Sequence, residues 1–294
     1  MAYREKYYYG LSGNGFHRIV YSEWGAENTQ IIICVHGLTG NGFDFDFIAP
    51  ELVKCGYRVI AVDLPGRGRS DVLENSLDYN YIQYCNDLAG LLAHLGVHKP
   101  ASIDWLGISL GGLLGIRLAG MPFSPVRRLV LNDVGPEVPK PALDFIYDVI
   151  SKTYRFDDVT ALETRLRETR GLSWGPITDA QWQHMAEHNY RRLPDGGVTY
   201  AYDPKIADVF AHQPTGEADL WPFWDQISCP VLVLHGAQSI VLTSDIIEKM
   251  KKRGAGAKTD VHVFADCGHV PSLMAASQIA AVTGWLKSTV ETVK

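Results

Sequence analysis

Trp105-Leu-Gly-Ile-Ser109-Leu-Gly111-Gly112 is the stretch that decides the fold. Residues 102–106 read as a short apolar strand and 110–120 as a helix, so only a tight turn joins them. A serine at the tip of such a turn stands clear of the sheet. Gly107 and Gly111 leave room for strand and helix to pack closely around it. The helix start behind Ser109 presents free backbone N–H groups and the positive end of a dipole.

The pattern on either side is one of alternating strands and helices. Residues 30–35 carry three isoleucines, a cysteine and a valine, a continuous apolar run that suits a strand buried on both faces. A helix is expected over 47–55 and a strand over 57–62. Helical spacing over 81–95 puts Ile82, Cys85, Leu88, Ala89, Leu92 and Leu95 on one side. Another strand follows at 128–131. Alternation of this kind implies right-handed crossovers and a parallel sheet. Upstream, 6–9 and 16–24 read as a pair of antiparallel edge strands.

The rhythm breaks from about 135 to 221. Helices are expected at 144–151, 159–170 and 179–188, interrupted by Gly171, Gly175, Pro176, Pro194 and Gly196-Gly197, with no convincing buried strand. Alternation resumes with strands at 231–235 and 260–264 and helices at 245–252 and 277–290. The chain is thus expected to be one α/β domain, built from residues 1–134 and 222–294, interrupted by a helical insertion over 135–221.

Composition agrees with this reading. The chain has 294 residues, 46% hydrophobic and 20% charged, as in globular proteins with a sizeable core. A formal net charge of −6 gives no footprint for nucleic acid, and the basic patch at 249–253 reads as the solvated end of a helix. Five scattered cysteines, with no Cys-x-x-Cys pair, argue against a disulfide framework or a structural zinc site. The polar N-terminus lacks the apolar core of a signal peptide, and the most apolar stretch, 105–119, is broken by Ser109, glycines and Arg117. A cytoplasmic protein with reduced thiols is expected, with no membrane partner, as a monomer or homodimer.

Taken together, the strand–turn–helix around Gly-x-Ser-x-Gly and the order of elements resemble the α/β-hydrolase superfamily over nearly the whole chain. The resemblance implies a mostly parallel central sheet flanked by helices, with a helical cap inserted after the sixth strand. It also implies Ser109 as nucleophile. The loop His36-Gly37-Leu38-Thr39-Gly40, directly after the first buried strand, would supply half of an oxyanion hole. The backbone N–H groups of Leu38 and Leu110 would then face the developing oxyanion. His36 itself reads as a structural hydrogen-bonder.

The general base is read at His269, in Cys267-Gly268-His269-Val270-Pro271. This segment follows the last strand, and loops at the carboxyl ends of parallel strands gather on the edge where Ser109 sits. His184 and His188 are spaced like ligands on one helix face, but no carboxylate-rich motif accompanies them, so they read as a surface or cap-face pair rather than a metal site. The turn Asp63-Leu-Pro-Gly66-Arg67-Gly-Arg69-Ser70 also matches a family turn. Its arginines read as ties between loops.

The acid departs from the family pattern. Related hydrolases place an Asp where this chain has Ile240, and isoleucine cannot accept a hydrogen bond or steady an imidazolium. Three alternatives stand: Asp133, in Leu131-Asn-Asp133-Val-Gly-Pro; Asp245, brought in by a loop shift; or no acid at all. Losing the acid typically costs on the order of 10⁴-fold in turnover.

Positions 40 and 43, where close relatives often carry arginine, are Gly40 and Phe43. With Phe45 and Phe47 nearby, an uncharged, apolar substrate group is expected. Of the aromatics Trp174, Trp182, Tyr190, Tyr200, Tyr202, Phe210, Trp221, Phe223 and Trp224, most are expected to pack the insertion and some to line a pocket above Ser109. The expected activity is a serine hydrolase acting on small, mainly apolar carboxylic esters, with no cofactor or metal. A lactonase or a C–C bond hydrolase would use the same scaffold. Ile240 also leaves room for a weakly active or inactive binder of small ligands.

Overall fold

The computed structural model describes residues 2–212, 219–254 and 259–289. Met1 and position 290, the expected end of the last helix, lie outside them. The strands are β1 (Arg4–Ser12), β2 (Gly15–Trp24), β3 (Gln30–Val35), β4 (Tyr57–Val62), β5 (Ile103–Ile108), β6 (Val126–Asn132), β7 (Tyr190–Arg192), β8 (Val198–Tyr200), β9 (Val231–Gly236) and β10 (Thr259–Phe264). Eight of them form one sheet in the order β1-β2-β4-β3-β5-β6-β9-β10. All neighbours from β4 to β10 pair in parallel, while β1–β2 and β2–β4 are antiparallel.

The helices are α1 (Ala49–Lys54), α2 (Tyr81–His94), α3 (Leu110–Ala119), α4 (Lys140–Ile150), α5 (Val159–Arg170), α6 (Asp179–His188), α7 (Ala207–His212), α8 (Trp221–Trp224), α9 (Ser244–Lys252) and α10 (Ala276–Ser288). Their starts follow local chemistry. Asn80 caps α2 by accepting from the amides of Ile82 and Gln83, and Thr178 with Gln181 forms a capping box on α6.

The continuous apolar runs of the central strands are explained by cover on both sides. Ile33, Val35, Trp105, Leu129, Leu131 and Val233 pack against α2, α3, α8 and α9. Their chain neighbours Ile32, Cys34, Leu106, Val130 and Leu232 pack oppositely, against α1 and α10. Successive residues thus enter different cores, as the two-residue period of a strand requires.

Two expectations need correction. β2 is not an edge strand: Tyr21 pairs with Val62 and Trp24 with Val59, so it is covered by β4, and of the two only β1 lies at an edge of the sheet. Its side chains Ile19, Val20, Tyr21 and Trp24 are accordingly buried. The region 135–221 also contains a small ribbon, with Tyr190 opposite Tyr200 and Arg192 opposite Val198. Its turn closes where the Leu193 amide donates to the Gly197 carbonyl and Gly196 takes a positive φ of 86°. Strands of three residues, one of them with exposed arginines, are too short to show alternation in sequence.

The segment between β6 and β9, including α4 to α7 and the ribbon, has its own apolar centre in Leu162, Leu166, Trp182, Met185, Ala186 and Val198. It is moored to the core turns after β3 and β4. The Gly68 amide donates to the Ala201 carbonyl at 2.9 Å, Asp203 N to the Gly66 carbonyl at 2.7 Å, and Asn41 Nδ2 to the His188 carbonyl at 2.9 Å. The carboxyl ends of the parallel strands, and therefore the loops at 36–41, 109, 133 and 265–275, open beneath it.

Candidate active site

Ser109 sits between β5 and α3 with φ 48° and ψ −111°, outside the regions L-residues favour. Hydrogen bonds on both sides hold this conformation. The Ser109 amide donates to the Asn132 carbonyl at the end of β6, and the Gly111 amide donates to the His36 carbonyl after β3. Trp105 Nε1 donates to the Gly111 carbonyl at 2.9 Å. Close approach demands the two glycines: a methyl group on Gly107 would meet the Gly111 carbonyl, and one on Gly111 would meet the Val35 carbonyl.

His269 reaches this turn from the loop after β10, with Nε2 3.0 Å from Ser109 Oγ. The loop is tied down on three sides. Gly268 N donates to the Ser173 carbonyl, Gln238 N donates to the Cys267 carbonyl, and Asn132 Nδ2 donates to the Pro271 carbonyl. The other ring nitrogen, Nδ1, lies 2.7 Å from Asp133 Oδ2. Asp133 follows β6 at φ 58°, a conformation that aspartate tolerates better than most residues, and it is fully buried. Its second oxygen, Oδ1, accepts from the Gly236 amide at 2.9 Å and lies 3.3 Å from His235 Nδ1. Burial alone would push this carboxyl up. Hydrogen bonds from His235 and His269, the charge of His269 and the Ser239 hydroxyl outweigh it and hold Asp133 below the usual carboxylate range.

Of the positions considered for the acid, the structure therefore brings Asp133 to His269. Ile240 lies on the cavity wall and is 54% exposed. Asp245 is in the exposed first turn of α9.

The two amides expected to face an oxyanion border the same turn. Leu110 N is the first amide of α3, and Leu38 lies in the loop lining the cavity. Neither donates to a protein acceptor among the described residues. The following peptide, Leu38–Thr39, is fixed where Arg67 Nε donates to the Leu38 carbonyl at 2.9 Å. Arg67 also donates to the Pro65 carbonyl and the Tyr84 hydroxyl, so this arginine ties the Leu38 loop to its own turn and to α2. His36 accepts from the Leu64 amide at Nε2 and donates from Nδ1 to the Gly37 carbonyl. Burial pushes its pKa down to about 4, so it stands as a neutral hydrogen-bonder.

A cavity of about 690 Å³ opens onto Ser109 and His269. Its apolar wall includes Ile108, Leu166, Trp174, Met185, Ile240 and Val241. Of the aromatics singled out in the insertion, Trp174, Tyr200 and Tyr202 reach it, whereas Trp221 and Trp224 are buried beside α3. Sequence reading missed the charged part of the wall: Asp44, Asp148, Lys152, Arg165 and Arg170. Arginines from α5 thus line the cavity although positions 40 and 43 carry none. The Arg170 guanidinium has a cation–π contact with Trp174 and feels the Asp44 carboxylate, but makes no side-chain hydrogen bond or ion pair among the described residues. The spacing of Arg165, Leu166, Thr169 and Arg170 marks one helical face, yet nothing in the sequence says that this face looks down on Ser109. Asp44, drawn out of water beside Asp63, is pushed up to about 7.

Comparison with known proteins places this geometry in context. The sequence pattern of the α/β-hydrolase fold matches residues 30–275. The chain is 39% identical over 280 residues to a 3-hydroxybutyrate-oligomer hydrolase of Cupriavidus necator, covering 92% of this chain and 93% of that protein. It is 30% identical over 268 residues to an esterase of Mycobacterium tuberculosis, covering 84% and 78%. The crystal structure of an alpha/beta hydrolase from Novosphingobium aromaticivorans superposes with a TM-score of 0.82 at 30% identity, covering 98% and 99%. A parallel sheet carrying a strained serine turn, matched from the first parallel strand to the last helix, makes this chain a hydrolase of the α/β-hydrolase family.

Proposed function

We propose that the chain hydrolyses small carboxylic esters through an acyl-enzyme on Ser109. The observation that carries this reading is the continuous relay from Ser109 Oγ through His269 to the buried Asp133, at 3.0 and 2.7 Å. Ser109 Oγ attacks the ester carbonyl while His269 Nε2 takes its proton. The Leu38 and Leu110 amides hold the oxyanion, each such donor being worth about 3 kcal/mol when pre-aimed. His269 then protonates the departing alcohol, and the acyl-enzyme is released by water that His269 deprotonates. Asp133 keeps the proton on Nδ1 and steadies the imidazolium. The relay supports an active hydrolase despite Ile240 and weighs against a mere binder.

A second substrate feature is favoured by Arg170. The acyl side of the ester fits the apolar wall, and a carboxylate on the leaving group fits the guanidinium of Arg170, which no hydrogen bond or ion pair ties down among the described residues, with Arg165 also on the wall. Such an ester, a hydroxy acid joined to another hydroxy acid, is in keeping with the relative named for hydrolysing 3-hydroxybutyrate oligomers.

A fluorophosphonate probe tests the chemistry. Rapid stoichiometric labelling of Ser109, abolished in Ser109→Ala and slowed in Asp133→Asn, is the expected result. Folded protein that resists labelling would overturn the proposal.

A further inference from the structure

Away from Ser109, α6 and the turn after β3 bring together three metal-ligating side chains. His184 and His188, one helical turn apart on α6, face Asp46 of the core, with one donor atom from each within 4.8 Å of the other two. His188 Nδ1 donates to the His184 carbonyl at 2.8 Å, which leaves Nε2 as the donor atom of the neutral ring. His184 Nε2 lies 3.2 Å from Asp46 Oδ2, at ion-pair distance but outside hydrogen-bond geometry. Both His184 Nε2 and Asp46 Oδ1 are shut off from solvent without a hydrogen-bond partner. Buried polar atoms left in this state are costly, and a bound ion would satisfy both. Phe43 packs on His188 and Phe47 on His184, fixing the two rings.

We propose that Asp46, His184 and His188 form a site for a divalent transition-metal ion, zinc being the type case for two imidazoles and a carboxylate. The ion would bridge α6 of the inserted segment to the core turn at Gly42–Phe45. Asn41 already joins the same two parts, donating from Nδ2 to the His188 carbonyl and, at 3.2 Å, to Asn189 Oδ1. The site is separate from the Ser109 relay, so its role is to clamp the segment that roofs the cavity and not to take part in bond cleavage.

Titration of the tag-free, chelator-treated protein with zinc chloride, followed by calorimetry, tests the site. Saturable one-to-one binding is expected. The melting temperature should rise by on the order of 5 °C at a hundredfold excess over Kd. Affinity should fall about 10–100-fold or more in His188→Gln and in the near-isosteric Asp46→Asn. In the unsubstituted protein, zinc should shift the ring-nitrogen resonances of His184 and His188 and leave those of His269 in place. Absence of saturable binding, affinity unchanged in both variants, or shifts confined to other histidines would overturn the proposal.

Discussion

Asp133 Oδ2 stands 2.7 Å from His269 Nδ1, although Asp133 follows β6 and the two residues are 136 positions apart. The carboxylate thus approaches the imidazole from a strand end adjacent to the one that carries Ser109. Asp133→Asn should therefore lower kcat by about 10³–10⁴-fold with little change in KM, because the amide cannot hold the same tautomer or steady the imidazolium. Ile240→Asp in the unsubstituted background should leave kcat within a few-fold. Steady-state kinetics on a neutral short-chain ester checks both, and a large gain from Ile240→Asp would contradict the assignment.

The turn that presents Ser109 allows no side chain at position 111. Gly111→Ala would drive a methyl group into the Val35 carbonyl, which is backbone in the middle of the sheet and cannot swing aside. Loss of at least 100-fold in activity is expected, with destabilisation of about 3 kcal/mol. Urea unfolding together with phosphonate labelling separates the two effects.

Arg170 sets up a specificity test. If its guanidinium receives a substrate carboxylate, Arg170→Met should raise KM about tenfold or more for an ester whose alcohol part carries a carboxylate. A neutral ester of equal size should be turned over as before. An equal loss on both substrates would instead make Arg170 a packing residue.

His36 makes stability depend on pH. Its pKa is lowered from 6.5 to about 4 by burial, so the folded chain keeps the ring neutral where the unfolded chain protonates it. This contribution is present in full above about pH 6.5 and is lost as pH falls towards 4. It amounts to about 3 kcal/mol. Unfolding free energies measured at pH 7, 5 and 4 should decline through that window. His36→Gln should start lower but decline less steeply.

Much of the fold was legible because its signals are local. The run at 30–35 and the helical spacing of 81–95 arise from burial patterns that repeat every few residues, and α5 and α6 lie where spacing and breakers put them. The ribbon of β7 and β8 left no such pattern, since three-residue strands are too short for one. Asp44, Asp46, Arg165 and Arg170 were not legible as site residues. Each is an ordinary polar residue in sequence and gains meaning only from what the fold sets opposite it.

Ser109 and His269 could be singled out as candidates from the chain alone because the turn and loop holding them are written in contiguous residues: two glycines around a serine, and a Gly-His-Val-Pro segment after the last strand. The acid could not. Whether Asp133, Asp245 or neither meets His269 depends on how β6 and β9 align and how the loops beyond them close. Distances of this kind are set by packing of both sheet faces and not by any local motif. The same holds for the face α5 turns to the cavity and for the approach of Asp46 to α6. Local backbone preference and apolar period determine which elements form; which side chains end up within 3 Å of one another is decided by tertiary packing.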